Sequence, residues 1–412
     1  MKYFGIEYLR RQLAAKAVRV GLRYRFYDMK NVFTPPSTII PTQFLNLTNV
    51  LGWCAKAVDT LTVRLRFDGF DGDDFYLGEI YEMNNPDVLT RSAVNDALIG
   101  SCSFIYISAD GDGYPRLQVI DGGNATGVID PTTNLLREGY AVLERDNTFT
   151  GTEFSPLGTS VKTEAYFTSE ATYIYLDGRL ADTYDNPTGY ALLVPMIYKP
   201  NARRPFGHSR ISRACMGHVR AAARTLWRSE VSAEFYSFPQ KYVLGMSEDA
   251  EFNNRAATIS SFLRIDKDED GAHPVMGQFQ QQSMLPYTEQ VKMFAAAFAG
   301  ETDLTLDDLG FTTANPTTAE AWNAAHRNLK LTARDAQGSF GTGFLNSGYL
   351  AACLRDKQAY SRRMMSGIKP VWLPAEPPEF SELGALGDAV GKLSQAVPDY
   401  FDEGKLHRMT GF

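Results

Sequence analysis

The sequence predicts an α+β fold, mainly helical with a β-rich insert, and three observations predict it. Amphipathic stretches at helical spacing occupy both the first and the last parts of the chain. Between Ser103 and Met196 the texture changes to short β-branched and aromatic runs, separated by Asp-Gly, Asn-Pro and Gly-rich turns. A smaller mixed stretch at 240–283 lies between two long helical ones. The 412 residues are 44% hydrophobic, 12% aromatic and 22% charged, an ordinary globular balance. At roughly 100–200 residues per domain this length suggests two to four units.

Taken in order, Gly5 to about Tyr27 places Leu9, Leu13, Ala17 and Val20 on one helical face, flanked by Arg10, Lys16, Arg19 and Arg23. A second helix is expected over 42–62, then a strand over 63–70, where apolar and charged residues alternate, and a helix over 88–99. Short strands follow at 104–108, 116–120 and 171–176. The segment through Pro200 and Pro205 leads into a long helix over 209–236, with Ser209 as its N-cap. At about 1.5 Å per residue that helix is roughly 42 Å long.

On this helix Arg210, Arg213, Arg220, Arg224 and Arg228 fall within an arc of about 80° at about 100° per residue. The opposite side carries Ile211, Cys215, Val219, Ala222 and Leu226. One reading of the arginine row is a solvated face. The others are pairing with a partner's carboxylates or with DNA phosphates, since the planar guanidinium can bind two oxygens at once. A helix over 285–301 comes next, then a loop at 303–316, longer than most inter-helix connections. Thr317 and Glu320 supply a capping box for a further long helix, which Gly338, Gly341, Gly343 and Gly348 are expected to bend or interrupt. A Pro-rich linker over 370–378 precedes an amphipathic helix through Leu383, Leu386, Val390, Leu393 and Val397.

Composition narrows the function. Lys plus Arg total 41 against 48 Asp plus Glu, a net charge of −7, so the chain as a whole is no basic glove for nucleic acid. Cys54, Cys102, Cys215 and Cys353 show neither metal-ligand spacing nor a paired framework, which suggests a reducing compartment. Glu7, Arg10, Arg11 and Lys16 interrupt the apolar core that a secretory signal needs. The uncharged run between Lys30 and Lys56 contains Pro35, Pro36, Pro41, Gln43, Asn46 and Asn49, so no membrane span is expected there.

Searches for catalytic chemistry find little. Asp266, Asp268 and Asp270 match half of an EF-hand loop, but Gly277 stands where a bidentate Glu is needed, so an acidic turn is the better reading. The segment from Gly341 to Asn346 fails the dinucleotide pattern at its last position, and no phosphate-gripping G-x-x-x-x-G-K-[ST] occurs. Ser209 lacks the second glycine of a nucleophile elbow. His208, His218, His273, His326 and His407 form no ligand pair. The sequence therefore points to a non-enzyme, with no catalytic residues, metal or cofactor.

The order helix, excursion, helix, loop, capped long helix resembles that of the portal proteins of tailed bacteriophages. The residues around the loop carry the likeness: Met284-Leu-Pro-Tyr-Thr-Glu-Gln-Val-Lys-Met293, then Leu309-Gly-Phe-Thr-Thr-Ala-Asn-Pro-Thr-Thr-Ala-Glu-Ala-Trp322, is similar to the signature of the long-tailed phage portals. Trp53 to Leu61 with Arg64, Arg66, Gly69 and Phe70 resembles their early segment, and Phe206-Gly-His-Ser-Arg-Ile211 the approach to their stem. Gly387 to Lys392 and Gly404 to Phe412 extend the likeness to the C-terminal end.

The resemblance implies a portal-like fold: a mainly helical wing and stem, a β-rich insert in the wing and a small mixed α/β clip. Residues 1–205 would be the wing, 206–236 and 285–302 the two stem helices, and 237–284 the clip. The tunnel loop would be 303–316, the long wing helices 317–370, and a linker with a short crown 371–412. It implies a ring of roughly twelve subunits, closed by one repeated interface, at a capsid vertex. Through it double-stranded DNA would be packaged and ejected, held weakly and without sequence preference.

Its partners would be the terminase large subunit, then the head-tail connector, with the major capsid and scaffolding proteins. There would be no membrane partner. The chain would be found in the virion, and in the host cytoplasm during assembly. Asp303, Leu306, Asp307, Asp308, Leu309, Phe311, Thr312, Thr313 and Asn315 would line the channel. The five arginines would face a neighbouring subunit or the channel, and Asp266, Asp268 and Asp270 a clip partner. Another ring or adaptor of the head-tail junction is the alternative reading; a nuclease or protease is third.

Overall fold

The computed structural model describes residues 3–30, 49–145, 161–237, 241–244, 275–278, 283–311, 319–376, 380–398 and 400–411. It opens with α1 (Ile6–Tyr27), whose Leu9, Leu13, Val20 and Phe26 are buried as the periodicity requires. Each such side chain contributes roughly 1.5–3 kcal/mol on leaving water. Its first turn is met by a buried carboxylate: Glu138 accepts the Phe4 N–H at 2.9 Å and the Gly5 N–H at 3.2 Å. A negative group suits that end of a helix dipole.

Two helices build the core beneath it, α2 (Trp53–Thr62) and α4 (Pro86–Gly100), with the short α3 (Leu77–Glu82) between them. Of the second helix expected over 42–62, residues 53–62 are helical and 49–52 are not; the rest of its start lies outside the described residues. The β-rich insert forms two antiparallel sheets. In the first, β3 (Pro115–Ile120), β2 (Cys102–Ala109) and β9 (Leu193–Ile197) lie in that order. Every residue of β9 is buried, so both sheet faces are covered, with α4 among the covering elements. The second sheet runs β4 (Ala125–Ile129), β5 (Leu136–Arg145), β6 (Val161–Phe167), β7 (Ala171–Leu176), β8 (Arg179–Asp185), with β8 exposed throughout.

The long helix α5 (Arg213–Ser237) and its follower α6 (Leu285–Thr302) pack against each other. Ser232 bonds Tyr287 and Thr225 bonds Gln290, so the two run antiparallel. Between them β10 (Lys241–Leu244) pairs with β11 (Val275–Gln278), as the mixed stretch predicts. Beyond the loop after α6 come α7 (Ala319–Ala325) and α8 (Arg327–Arg355). The glycines of α8 do not interrupt it. Its helix is unbroken, and three of those glycines instead give room for neighbours: a Cβ would come within 2.7 Å of Pro370 at Gly341, 2.4 Å of Met196 at Gly343 and 3.1 Å of Leu77 at Gly348.

The strand expected over 63–70 is shorter, β1 (Phe67–Asp71), and its partner is β12 (Lys369–Trp372). The supposed Pro-rich linker thus begins as a strand; Pro370 is tolerated because a two-stranded ribbon has only edges. The chain ends in α9 (Phe380–Ala396) and α10 (Glu403–Thr410). His407 and Arg408 of α10 bond Asp68 at 3.1 Å and Asp71 at 2.7 Å, returning the tail to β1. The capping-box Thr317 lies outside the described residues.

One ionisable group in the frame works against stability. Tyr24 of α1 donates to Asp96 of α4 at 2.9 Å. Burial pushes the Asp96 carboxyl up to about 6; the Tyr24 bond opposes that shift and Asp121 adds to it. The folded state therefore holds the proton more tightly than the unfolded one, and stability is lost as pH rises through the raised value. Asp96→Asn keeps an acceptor for Tyr24 and removes the ionisation. We expect it to raise stability at pH 8 by roughly 1–2 kcal/mol, allowing for screening at a partly exposed site, and to change little at pH 4. Urea midpoints at the two pH values check this.

Candidate functional site

Three neighbouring pieces hold the residues singled out by sequence: the approach to α5, the outer face of α5, and the loop that leaves α6. The approach is Phe206 to Ile211. Gly207 has φ +70 and passes so close to the Tyr198 carbonyl that a Cβ would come within 2.1 Å of its oxygen. The same oxygen accepts the His208 N–H at 2.9 Å. Ser209 is not the helix cap. Its hydroxyl donates to Ile99 O at 2.7 Å, and the Arg210 N–H donates to Leu98 O at 2.8 Å, so together they satisfy carbonyls at the end of α4. The cap is Ser212, whose Oγ accepts the Cys215 N–H at 3.1 Å.

This shift of the helix start removes Arg210 from the arginine row. Its side chain is 3% exposed and turned inward. Nε donates to Ala57 O at 3.3 Å, Nη2 donates to Thr302 O, and Nη1 lies 3.6 Å from Asp303 Oδ2. Thr302 is the last residue of α6, so the guanidinium meets an orphan carbonyl at the negative end of a helix dipole. Arg210 is therefore a clamp within one chain, and the expectation that it faces a neighbour or a channel is corrected.

Arg213, Arg220, Arg224 and Arg228 are all exposed on α5, opposite buried Cys215, Val219 and Ala222. Leu226, on that side by its spacing, is only half-buried, whereas Trp227 and Val231, which fall beside or within the arginines' arc at about 100° per residue, are buried as well. Arg220 rests on the Phe26 ring, 5.0 Å from its centroid. That contact ties the row to the end of α1.

The described part of the loop runs from Asp303 to Phe311. Asp303, with φ +54, closes α6 and accepts the Thr332 hydroxyl of α8 at 2.9 Å besides pairing with Arg210. Leu304 is buried; Leu306, Leu309 and Phe311 pack on the core, Phe311 edge-on to Trp53 at 6.4 Å. These partly buried apolar side chains anchor the loop on the core.

Asp308 is likewise engaged. Its Oδ2 accepts the Thr305 N–H and hydroxyl, both at 2.9 Å, and lies 3.2 Å from His326 Nε2. Burial pushes its carboxyl up, but the Thr305 bonds and His326 outweigh this and hold it below the usual range. The other ring nitrogen of His326 bonds Trp322 O at 2.9 Å, and Trp322 stacks on that ring at 4.2 Å. Of the three acidic loop residues, Asp307 alone is exposed. Thr312, Thr313 and Asn315 lie outside the described residues, as do Asp266, Asp268 and Asp270.

Among the described residues no group of three His, Cys, Asp or Glu side chains could hold a metal ion, and no helix is long and apolar enough to cross a membrane. The arrangement is one of mechanical linkage: a clamped helix pair, a loop docked at its base and a row of cations on one exposed side.

No family model matches the chain. Its sequence is 24% identical over 319 residues to the portal protein of Mycobacterium phage L5, covering 74% of this chain and 65% of that protein. It is 23% identical over 369 residues to the portal protein of Mycobacterium phage D29, covering 86% and 74%. The chain thus spans slightly under two thirds of the L5 protein's length. Among solved structures, a chain in the neck of an empty gene transfer agent particle superposes with a TM-score of 0.46 at 12% identity, over 87% of this chain and 90% of that one. A chain from the neck of the native particle gives 0.44 at 11%, over 86% and 89%.

Proposed function

We propose, from the premise that the chain is homologous to the portal proteins of tailed phages, that it is the subunit of a portal ring at one capsid vertex, through which DNA enters and leaves the head. The observation that carries this reading is the sequence similarity to two portal proteins over most of the chain. The order of elements agrees with it: α5, a strand pair, α6, a docked loop, then α8.

In this reading α5 and α6 are the stem, and the stretch between them is the clip, where the terminase large subunit and later the head-tail connector dock. Residues 1–205 with α7 and α8 are the wing. In the described part of the loop, Asp303 to Phe311, the exposed Asp307 is the charge that meets the channel. A net charge of −7 per subunit keeps contact with DNA phosphates weak, which sliding requires. Arg213, Arg224 and Arg228 suit carboxylates of a neighbouring subunit.

Native mass spectrometry with negative-stain class averages tests the reading. We expect a ring of roughly twelve copies with a central hole; a monomer or dimer at high concentration would overturn it. Deleting 312–316 spares the anchored part of the loop and separates a portal from another ring of the head-tail junction. The expected result is intact rings and empty heads when the variant complements an infection, whereas filled heads would point to the other ring.

A further inference from the structure

His326 joins α7, the start of α8 and the loop after α6, and its two contacts specify the charge on its ring. Nδ1 lies 2.9 Å from Trp322 O and Nε2 lies 3.2 Å from Asp308 Oδ2. Both neighbours accept and neither donates, one being a backbone carbonyl and the other a carboxylate. A neutral imidazole carries a single N–H, so either tautomer would set a lone pair against an oxygen at one of the two contacts. Only the doubly protonated ring donates at both.

The surroundings favour that form. Thr305 donates both its N–H and its hydroxyl to the same Asp308 Oδ2, which leaves no room for a proton on that oxygen and closes the alternative of a neutral pair. Burial pushes the Asp308 carboxyl up, but the Thr305 bonds and His326 outweigh it and hold the group low, hence ionised. The Trp322 indole stacks on the imidazole with 4.2 Å between centroids and 31° between planes, offering a π face to a cation. His326 is buried, so water does not stand in for either contact.

The other charged groups on the elements packed here are engaged elsewhere or exposed. In the loop, Asp303 pairs with Arg210 and Asp307 is exposed. On α8, Arg327 is exposed, and Lys330, one turn after His326, pairs with Glu376, which offsets a charge that would oppose the ring's proton. On α2, which the loop also touches, Lys56 and Asp59 are exposed, and Asp59 accepts the Tyr27 hydroxyl at 2.8 Å. The described side chains of α7, Trp322 to Ala325, carry no charge. Asp308 is thus the carboxylate that faces the ring.

We propose that this contact is a proton-operated latch: the charged His326 ring holds Asp308, and with it the 303–311 segment, against the start of α8, and loss of the ring proton loosens that hold. Imidazole is the side chain whose charge changes between about pH 5 and 8. Docking of the loop binds the proton, so it strengthens as pH falls through that range and weakens as pH rises through it. The contact lies within one chain and operates whether or not copies assemble. In the ring proposed above it would tie the freedom of this loop to proton concentration.

Hydrogen–deuterium exchange of the full chain tests this, read on peptides spanning 303–311 at pH 6 and pH 8.5 and corrected for the intrinsic pH dependence of amide exchange. The Thr305 amide reports directly, because its acceptor is Asp308. Exchanging a charge-assisted bond for a neutral one is expected to lower protection there by roughly fivefold at the higher pH. His326→Gln, neutral at both pH values, and Asp308→Asn, which keeps an acceptor for Thr305 without the charge, are both expected to lose that difference. Asp307→Asn, exposed beside them, is expected to keep it. All four chains carry Asp96, so a loss of global stability at pH 8.5 appears in each and does not imitate the latch. No change in the unsubstituted chain, or a change of the same size in His326→Gln or Asp308→Asn, overturns the latch. Should His326→Gln fail to fold, Asp308→Asn, nearly equal in shape to the native side chain, decides alone.

Discussion

Arg210→Ala is expected to lower stability by roughly 3 kcal/mol, the cost of leaving buried acceptors and one carboxylate without their cation. Three partners lose it at once: Ala57 O in α2, Thr302 O at the end of α6, and Asp303 at the start of the loop. Asp303 is 28% exposed on its side chain, so water relieves part of the loss and the lower end of the range for broken buried pairs applies. Arg210→Lys is expected to recover little, because an ammonium on a single-pronged stem cannot address three acceptors spread around a planar fork. Arg213→Ala, three residues on and exposed, is expected to change stability by less than about 0.5 kcal/mol. Urea unfolding of the three variants checks the series; an Arg210→Ala midpoint equal to that of Arg213→Ala would remove the clamp from the account.

The clamp matters to function because of what it joins. One guanidinium touches α2, the C-terminus of α6 and the residue that starts the loop after it, while Thr332 of α8 holds the same carboxylate. A displacement of the helix pair therefore reaches the loop through one short polar contact rather than through a flexible connection. Asp308, held by Thr305 and His326, fixes the loop a second time five residues later.

Much of this architecture was legible in the sequence where the signal is local. The stripe of Leu9, Leu13 and Val20 gave α1, the turn-punctuated runs after Ser103 gave an antiparallel β-rich insert though not its division into two sheets, and the order helix, strand-containing stretch, helix followed from patterning. What escaped depends on contacts distant in the chain. β12 is unreadable in a Pro-rich stretch because its partner, Phe67 to Asp71, lies at the other end of the protein. The glycines of α8 look like breakers until Met196, Leu77 and Pro370 are seen against them. The arginine arithmetic was right for a helix starting at Ser209; the helix starts at Arg213, and Arg210 turns inward instead. The acidic loop read as one charged group, yet two of its three carboxylates have partners on elements that sequence spacing does not bring near: Arg210 and Thr332 for Asp303, His326 for Asp308.

Gly207→Ala is expected to be at least as damaging as the loss of the clamp, for a different reason. With φ +70 the backbone already sits where an L side chain costs about 1 kcal/mol, and the added Cβ would meet the Tyr198 carbonyl oxygen at 2.1 Å and Ile197 at 2.8 Å. The oxygen belongs to backbone bonded to His208 N–H, and Ile197 is buried in β9, so neither can swing aside as a flexible side chain would. Relief requires moving the 206–211 segment away from β9, which pulls Ser209 off Ile99 O and Arg210 off Thr302 O. Strain plus displaced contacts together amount to roughly 3–5 kcal/mol. Gly178→Ala isolates the two contributions. It has a similar φ of +76 at the β7–β8 turn but nothing within 4 Å of the added methyl, so only the conformational cost of about 1 kcal/mol is expected there. Equal losses in the two variants would show that backbone conformation alone sets the glycine at 207; a much larger loss at 207 shows that the close pass beneath Tyr198 does.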